Sequence, residues 1–211
     1  MTIYMDNAAT TKISKNVLDE MFNVLEFEYG NPSSIYTIAQ SSKEKIENSR
    51  RKIAKALNTK PKEIFFTSCG SESDNWALKG IANSYKNKGK HIITTKIEHH
   101  AILHTTEFLE SLGYEITYLN VDEDGFISLS ELENSIREDT ILISVMFANN
   151  EVGTIEPIEE IAKIAKKHDI LFHVDAVQAL GNIEIDLLQL DVDLMSFSAH
   201  KIHGPKGIGV L

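Results

Sequence analysis

The chemistry this sequence offers starts with a lysine at the end of an apolar run. In Leu194-Met195-Ser196-Phe197-Ser198-Ala199-His200-Lys201 an apolar strand delivers Lys201 to the mouth of a sheet. Partial desolvation there lowers the pKa of the amine and makes it nucleophilic. A plain surface lysine is the ordinary alternative, so the argument rests on its company. Asp175 ends the preceding run, Phe172-His173-Val174-Asp175. A carboxylate so placed can sit against a pyridinium nitrogen and keep it protonated as an electron sink, although turn and cap aspartates occupy such positions too. Gly70-Ser71-Glu72-Ser73 joins a strand to a helix, where a tight backbone and free N–H groups suit a phosphate ester. An N-cap with a capping-box-like Ser71…Asp74 pair fits the same residues. His99 suits an imidazole stacked on a flat ring and moving protons. Asn150 and Gln178 are placed to hydrogen-bond a phenolic oxygen on such a ring. Adjacent His99 and His100 point apart, and no further His or Cys is read at ligand spacing, so no metal is expected.

The elements that must position these groups follow from apolar periodicity. Helices are expected at 14–29, 35–57, 71–86, 101–112, 128–135 and 158–168. Strands are expected at 63–67, 91–95, 115–120, 141–147, 170–174 and 194–198, with another opening at 207–211. Alternating strands and helices predict an α/β fold, a mostly parallel sheet sandwiched by helices. In such sheets function lies past the carboxyl ends of the strands. The polar clusters 68–75, 98–100, 149–151, 175–178 and 200–201 all fall there.

In this order the motifs resemble the pyridoxal-phosphate-dependent cysteine desulfurases that serve iron–sulfur cluster assembly and nitrogenase maturation, within the class V aminotransferase family. The matching stretches are Tyr4-Met5-Asp6-Asn7-Ala8-Ala9-Thr10-Thr11, Gly30-Asn31-Pro32-Ser33-Ser34, the phosphate-loop stretch 66–75, Glu98-His99-His100-Ala101, 149–153, 173–178 and 196–207. The resemblance implies the large domain of the type I fold of such enzymes. It also implies that Lys201 holds the cofactor, pyridoxal 5'-phosphate, as a Schiff base. Asp175 pairs with the pyridine nitrogen, and His99 stacks on the ring and shuttles protons. Asn150 and Gln178 reach the phenolic oxygen, while Gly70, Ser71, Ser198 and His200 bind the phosphate. The implied reaction converts L-cysteine to L-alanine, leaving a persulfide for a sulfur-acceptor or scaffold protein, on a homodimer.

The sequence departs from that pattern at Cys69, where a small residue is usual, at Ser71, often Thr, and at Tyr36, often His. The family also continues for roughly as many residues again. That part supplies the sulfur-accepting cysteine, a carboxylate-binding arginine and a phosphate-binding threonine that crosses the dimer. The expected division is therefore 1–14, a segment joining a small domain, and 15–211, a cofactor-binding large domain truncated at its C-terminal end. Cys69 is expected to be a packed residue rather than the nucleophile, which leaves the fragment inactive alone. A selenocysteine lyase or another class V enzyme shares the scaffold, and a truncated, non-catalytic cofactor-binding module is the reading from a different class.

Composition narrows the classes further. The chain has 211 residues, a net charge of −10 and one cysteine. No internal disulfide is possible, which fits a reducing compartment. The acidic balance argues against nucleic-acid binding, since the only basic run, 43–55, is interleaved with Glu44 and Glu47. The longest apolar run, 141–148, is too short for a bilayer. A cytoplasmic protein, with no membrane contact, is the expectation.

Overall fold

The computed structural model describes residues 3–211, so residues 1 and 2 of the 1–14 segment lie outside the described residues. In chain order the elements are α1 (Lys15–Phe27), α2 (Thr37–Ala56), β1 (Phe66–Thr67), α3 (Gly70–Tyr85), β2 (His91–Thr95), α4 (His100–Ser111), β3 (Glu115–Leu119), α5 (Leu129–Asn134), β4 (Thr140–Met146), α6 (Ile158–Lys167), β5 (Leu171–Asp175), β6 (Leu194–Ser198) and β7 (Gly209–Val210). Single 3-10 turns lie at Pro61–Glu63 and Ala199–Lys201.

The strands form one seven-stranded sheet in the order β1-β7-β6-β5-β4-β2-β3. β3, β2, β4, β5 and β6 are parallel, while β7 runs antiparallel to both β6 and β1. β3 lies outside β2, so the chain returns across β2 to lay down β4. That reversal of strand order opens a crevice at the carboxyl ends of the strands.

Side-chain alternation divides the core between the two faces of the sheet. Ile92 and Leu142 pack with Ala77, Leu78, Ala82, Ile102 and Leu109 of α3 and α4. Their neighbours Ile93 and Ile143 pack on the other face with Ile158, Ile161, Ala162 and Ala165 of α6. Every residue of β4 is buried, as a central parallel strand covered on both sides requires. α1 buries none of its residues, and its apolar stripe leaves Phe22, Leu25 and Phe27 exposed. No helix among the described residues is long and apolar enough to cross a membrane.

Two expectations are corrected. The strand expected at 63–67 shrinks to Phe66–Thr67, because Pro61 opens a 3-10 turn fixed by Glu63 Oε2 accepting the Lys60 N–H at 3.0 Å. The terminal strand is equally brief, and its ladder extends only through the reciprocal Phe65–Leu211 backbone bonds.

Candidate active site

Five strand ends contribute to one cavity of about 210 Å³. It is lined by all nine residues singled out from the sequence: Gly70, Ser71, His99, Asn150, Asp175, Gln178, Ser198, His200 and Lys201. β1 leads into α3, whose first residues supply Gly70 and Ser71. β2 is followed by His99, β4 by Asn150, β5 ends in Asp175, and β6 ends in Ser198 before the turn that carries His200 and Lys201.

At its α3 end the cavity combines a helix N-terminus with a close backbone approach. The first N–H groups of a helix have no partner within it. A Cβ built on Gly70 would stand 2.7 Å from Val177 Cγ2 and 3.3 Å from Ser198 Cβ, so only glycine lets α3 approach β5 and β6 this closely. Ser198 Oγ is buried there with no hydrogen-bond partner. A buried hydroxyl without a partner is costly, and a phosphate oxygen would satisfy it.

Lys201 is half-buried, and burial holds its amine below the ordinary lysine range, against opposing attraction from Asp175 and Asp6. Its Nζ donates to the carbonyls of Ala8 and Ala9, the latter at 3.1 Å. Gln178 Nε2 donates to the same Ala8 oxygen at 3.0 Å. The N-terminal segment thus straps the lysine turn. Thr11 Oγ1 donates to the His200 carbonyl (2.8 Å) and accepts the His203 N–H (2.7 Å), and His200 Nδ1 meets Thr10 Oγ1 at 3.1 Å. Burial lowers the pKa of His200, and the positive charges of Lys201 and Lys206 lower it further.

Asp175 is buried and pushed above the usual carboxylate range by desolvation, a rise opposed by the Val177 N–H at 3.0 Å and by the nearness of His99 and Lys201. His99 caps α4, its Nδ1 accepting the Ala101 N–H at 3.1 Å. That bond leaves the proton on Nε2. Asn150 Nδ2 donates to Glu151, while its neighbour Asn149 is spent on the loop, donating to the Ile97 carbonyl and accepting the N–H groups of Glu151 and Val152.

Sequence reasoning missed the buried polar layer beneath the cavity. Asp74 is driven well above the usual range by burial and then by Asp175. Its Oδ1 lies 3.6 Å from His173 Nε2. This is not an ion pair, because burial holds His173 neutral, its pKa pushed down to about 3, with Ser144 and Ser196 hydroxyls each 2.9 Å from its ring nitrogens. Glu98 accepts the Met146 N–H and the Thr95 hydroxyl, both at 2.9 Å, and burial pushes its pKa up to about 8. Polar residues inside otherwise apolar strands, His173 and Ser196 above all, were the available signal. Cys69 is not fully packed as expected: it is half-buried at the α3 N-cap and lines the cavity. A wider cleft of about 680 Å³, lined by Leu57, Ile64, Leu188 and Val192 among others, holds none of these groups.

A doubly covered, mostly parallel sheet with a lysine, a buried aspartate and an anion cradle at its carboxyl edge defines a class, and comparison with known proteins agrees with it. The model of the family described as aminotransferase class-V matches residues 3–211, and the chain belongs to that family. Among its relatives, the cysteine desulfurase IscS of Clostridium botulinum (strain Kyoto / Type A2) is 56% identical over 209 residues, covering 99% of this chain and 53% of the relative. The protein of the same name from Methanosarcina thermophila is also 56% identical, with 99% and 52% covered. A solved NifS-like protein superposes with a TM-score of 0.97 at 48% identity, over 100% of this chain and 58% of that one. A structure described as SspA in complex with cysteine gives 0.96 at 42% identity, over 99% and 60%. The chain spans about half the length of the curated relatives it matches.

Proposed function

We propose that residues 15–211 are the cofactor-binding unit of a pyridoxal-phosphate-dependent cysteine desulfurase, with 1–14 leading toward a second, smaller domain. The observation that supports this best is the cavity itself. It gathers one depressed lysine amine, one buried aspartate and a hydroxyl without a partner beside a helix N-terminus, which are the three groups needed by an aldehyde, a ring nitrogen and a phosphate ester.

When bound, pyridoxal 5'-phosphate supplies an electron sink for a carbanion at the α-carbon of an amino acid. The rest is the work of this chain. Lys201 Nζ, now bonded to the Ala8 and Ala9 carbonyls, would hold the cofactor's aldehyde carbon and would be the base nearest a substrate's α-hydrogen. Asp175 would pair with the ring nitrogen and favour its protonated form. His99 would lie against the ring, with Nε2 free to donate a proton. Asn150 and Gln178 orient the phenolic oxygen. Gly70, Ser71, Ser198 and His200 hold the phosphate.

In the whole protein this arrangement serves the conversion of L-cysteine to L-alanine, with the sulfur leaving as a protein persulfide for an acceptor or scaffold protein, in a homodimer. Cys69 is unsuited to accept that sulfur. It is fixed at the α3 N-cap inside the phosphate cradle, and a persulfide must travel outward to an acceptor. The accepting thiol belongs to a longer protein.

Borohydride reduction of the chain loaded with pyridoxal 5'-phosphate, followed by peptide mapping, should place the label on Lys201. A label on another lysine, with Lys201 clean, refutes the assignment.

A further inference from the structure

The cleft beside the cavity carries a second set of donors. α4 begins at His100 and brings His104 onto the same exposed face one turn later, with the two rings stacked 5.1 Å apart at 19°. Both line a cleft of about 450 Å³ that shares Ser71 and His99 with the cofactor cavity. No further His or Cys is read at ligand spacing from the sequence, yet His104 stands four residues beyond His100 on α4. His99 and His100 do diverge, their rings 6.2 Å apart and tilted by 56°. Residues four apart on a helix, however, are neighbours, and His104 is such a neighbour of His100.

We propose that His100 and His104 form a bidentate site for a borderline divalent transition-metal ion of the zinc, nickel or copper type, at the mouth of the cofactor cavity. Imidazole nitrogens suit these ions, and two histidines at i and i+4 on a helix are a chelating pair. The two rings lie nearly parallel, their centroids 5.1 Å apart, on one exposed face. Chelation needs only a turn about χ2, a broad torsion for histidine that an exposed ring makes without displacing packed atoms. No cluster of three or more His, Cys, Asp or Glu that could hold a metal occurs among the described residues. The protein therefore supplies two ligands, and the remaining positions belong to water or to a thiolate, a softer donor that zinc and copper accept. Lys79, the cation lining this cleft, keeps its ammonium on the Phe108 ring, 4.7 Å from the centroid.

The test is calorimetric titration of the purified chain with zinc chloride, beside His100→Asn, His104→Asn and the control His168→Asn on the far helix α6 end, with circular dichroism to check folding. One zinc per chain is expected, weakened roughly tenfold or more by either α4 substitution, a loss of about 1.4 kcal/mol or more, and unchanged by His168→Asn. No saturable binding to the original chain overturns the proposal. So does binding that survives His104→Asn in a folded chain, or that falls equally in the control. Because the readout is heat of metal binding on cofactor-free protein, it stands or falls independently of the pyridoxal-phosphate reading.

Discussion

Replacing Gly70 by alanine separates a structural contact from an anion site. A Cβ at Gly70 would meet Val177 Cγ2 at 2.7 Å and Ser198 Cβ at 3.3 Å. Relaxed carbon contacts need about 3.5–4.0 Å, so the Val177 methyl must retreat by roughly 0.8 Å or more. Valine is stiff at χ1, and the Val177 N–H is already committed to Asp175 Oδ1, so the retreat moves backbone as well. Overpacking of this kind costs about 1–3 kcal/mol, offset in part by up to about 1 kcal/mol of helix propensity. A net loss of about 1–2 kcal/mol lowers Tm by roughly 2–8 °C in a chain of this size. Cofactor affinity should fall further than stability. Displacing Ser198 loses a hydrogen bond to a charged group, worth about 1.5–3 kcal/mol, or roughly 10–100-fold in Kd. The assay is a thermal melt of the cofactor-free chain together with titration of pyridoxal 5'-phosphate by visible absorbance. Gly80→Ala is the control: its Cβ would meet only Trp76 Cδ1, at an ordinary 3.7 Å, so it should raise Tm slightly and leave affinity alone. If Gly70→Ala behaves like Gly80→Ala in both measurements, the close approach is not what makes the cradle.

Asp175→Asn should retain bound pyridoxal 5'-phosphate but slow exchange of an amino acid's α-hydrogen by orders of magnitude, followed by NMR in deuterated buffer, because a neutral amide no longer holds the ring nitrogen protonated. The 211-residue chain, with Cys69 as its only thiol, should release no sulfide from L-cysteine under reductant, whereas a version extended with the C-terminal half of a curated relative should; comparable rates would demand a second nucleophile. Glu98, pushed up to about 8 from a carboxylate's ordinary 4.5, is raised in the folded state, so its contribution is full below about pH 4.5 and is lost as pH rises toward 8. Glu98→Gln should therefore be more stable than the original chain at pH 8.5, with the advantage vanishing near pH 5; a difference in Tm that does not vary with pH would show that Glu98 ionises freely.

The sheet and its loops were legible because buried parallel strands such as 141–147 write themselves as apolar runs, and each polar cluster follows one. The same regularity placed Asp175 and Lys201 at strand ends. What could not be read depends on distance between chain-remote residues. The carbonyls of Ala8 and Ala9 reach Lys201 across more than 190 positions, and nothing local in a backbone carbonyl announces that it will accept an ammonium. Asp74 looked like a helix-cap partner of Ser71, yet α3 turns it inward to Ser196 and His173. No further histidine was read at ligand spacing, yet the helical period of α4 brings His104 beside His100, four residues back.

The buried acids explain which carboxylate the cavity offers to a ligand. Burial is the largest cause raising each of Asp74, Glu98 and Asp175, and the nearness of Asp175 raises Asp74 and Glu98 further. Such a cluster shares its protons as a unit, so the site that ionises is the one with the most to stabilise a negative charge. Asp74 has a serine hydroxyl and a histidine held neutral by burial. Glu98 has one N–H and one hydroxyl on a single oxygen, leaving Oε2 without a partner. Asp175 has the Val177 N–H together with the nearby His99 and Lys201. Of the three, Asp175 alone has positive groups beside it, His99 and Lys201, that oppose the rise burial imposes. A cationic group entering this cavity would meet the Asp175 carboxyl in a low-dielectric setting, where attraction between opposite charges is large.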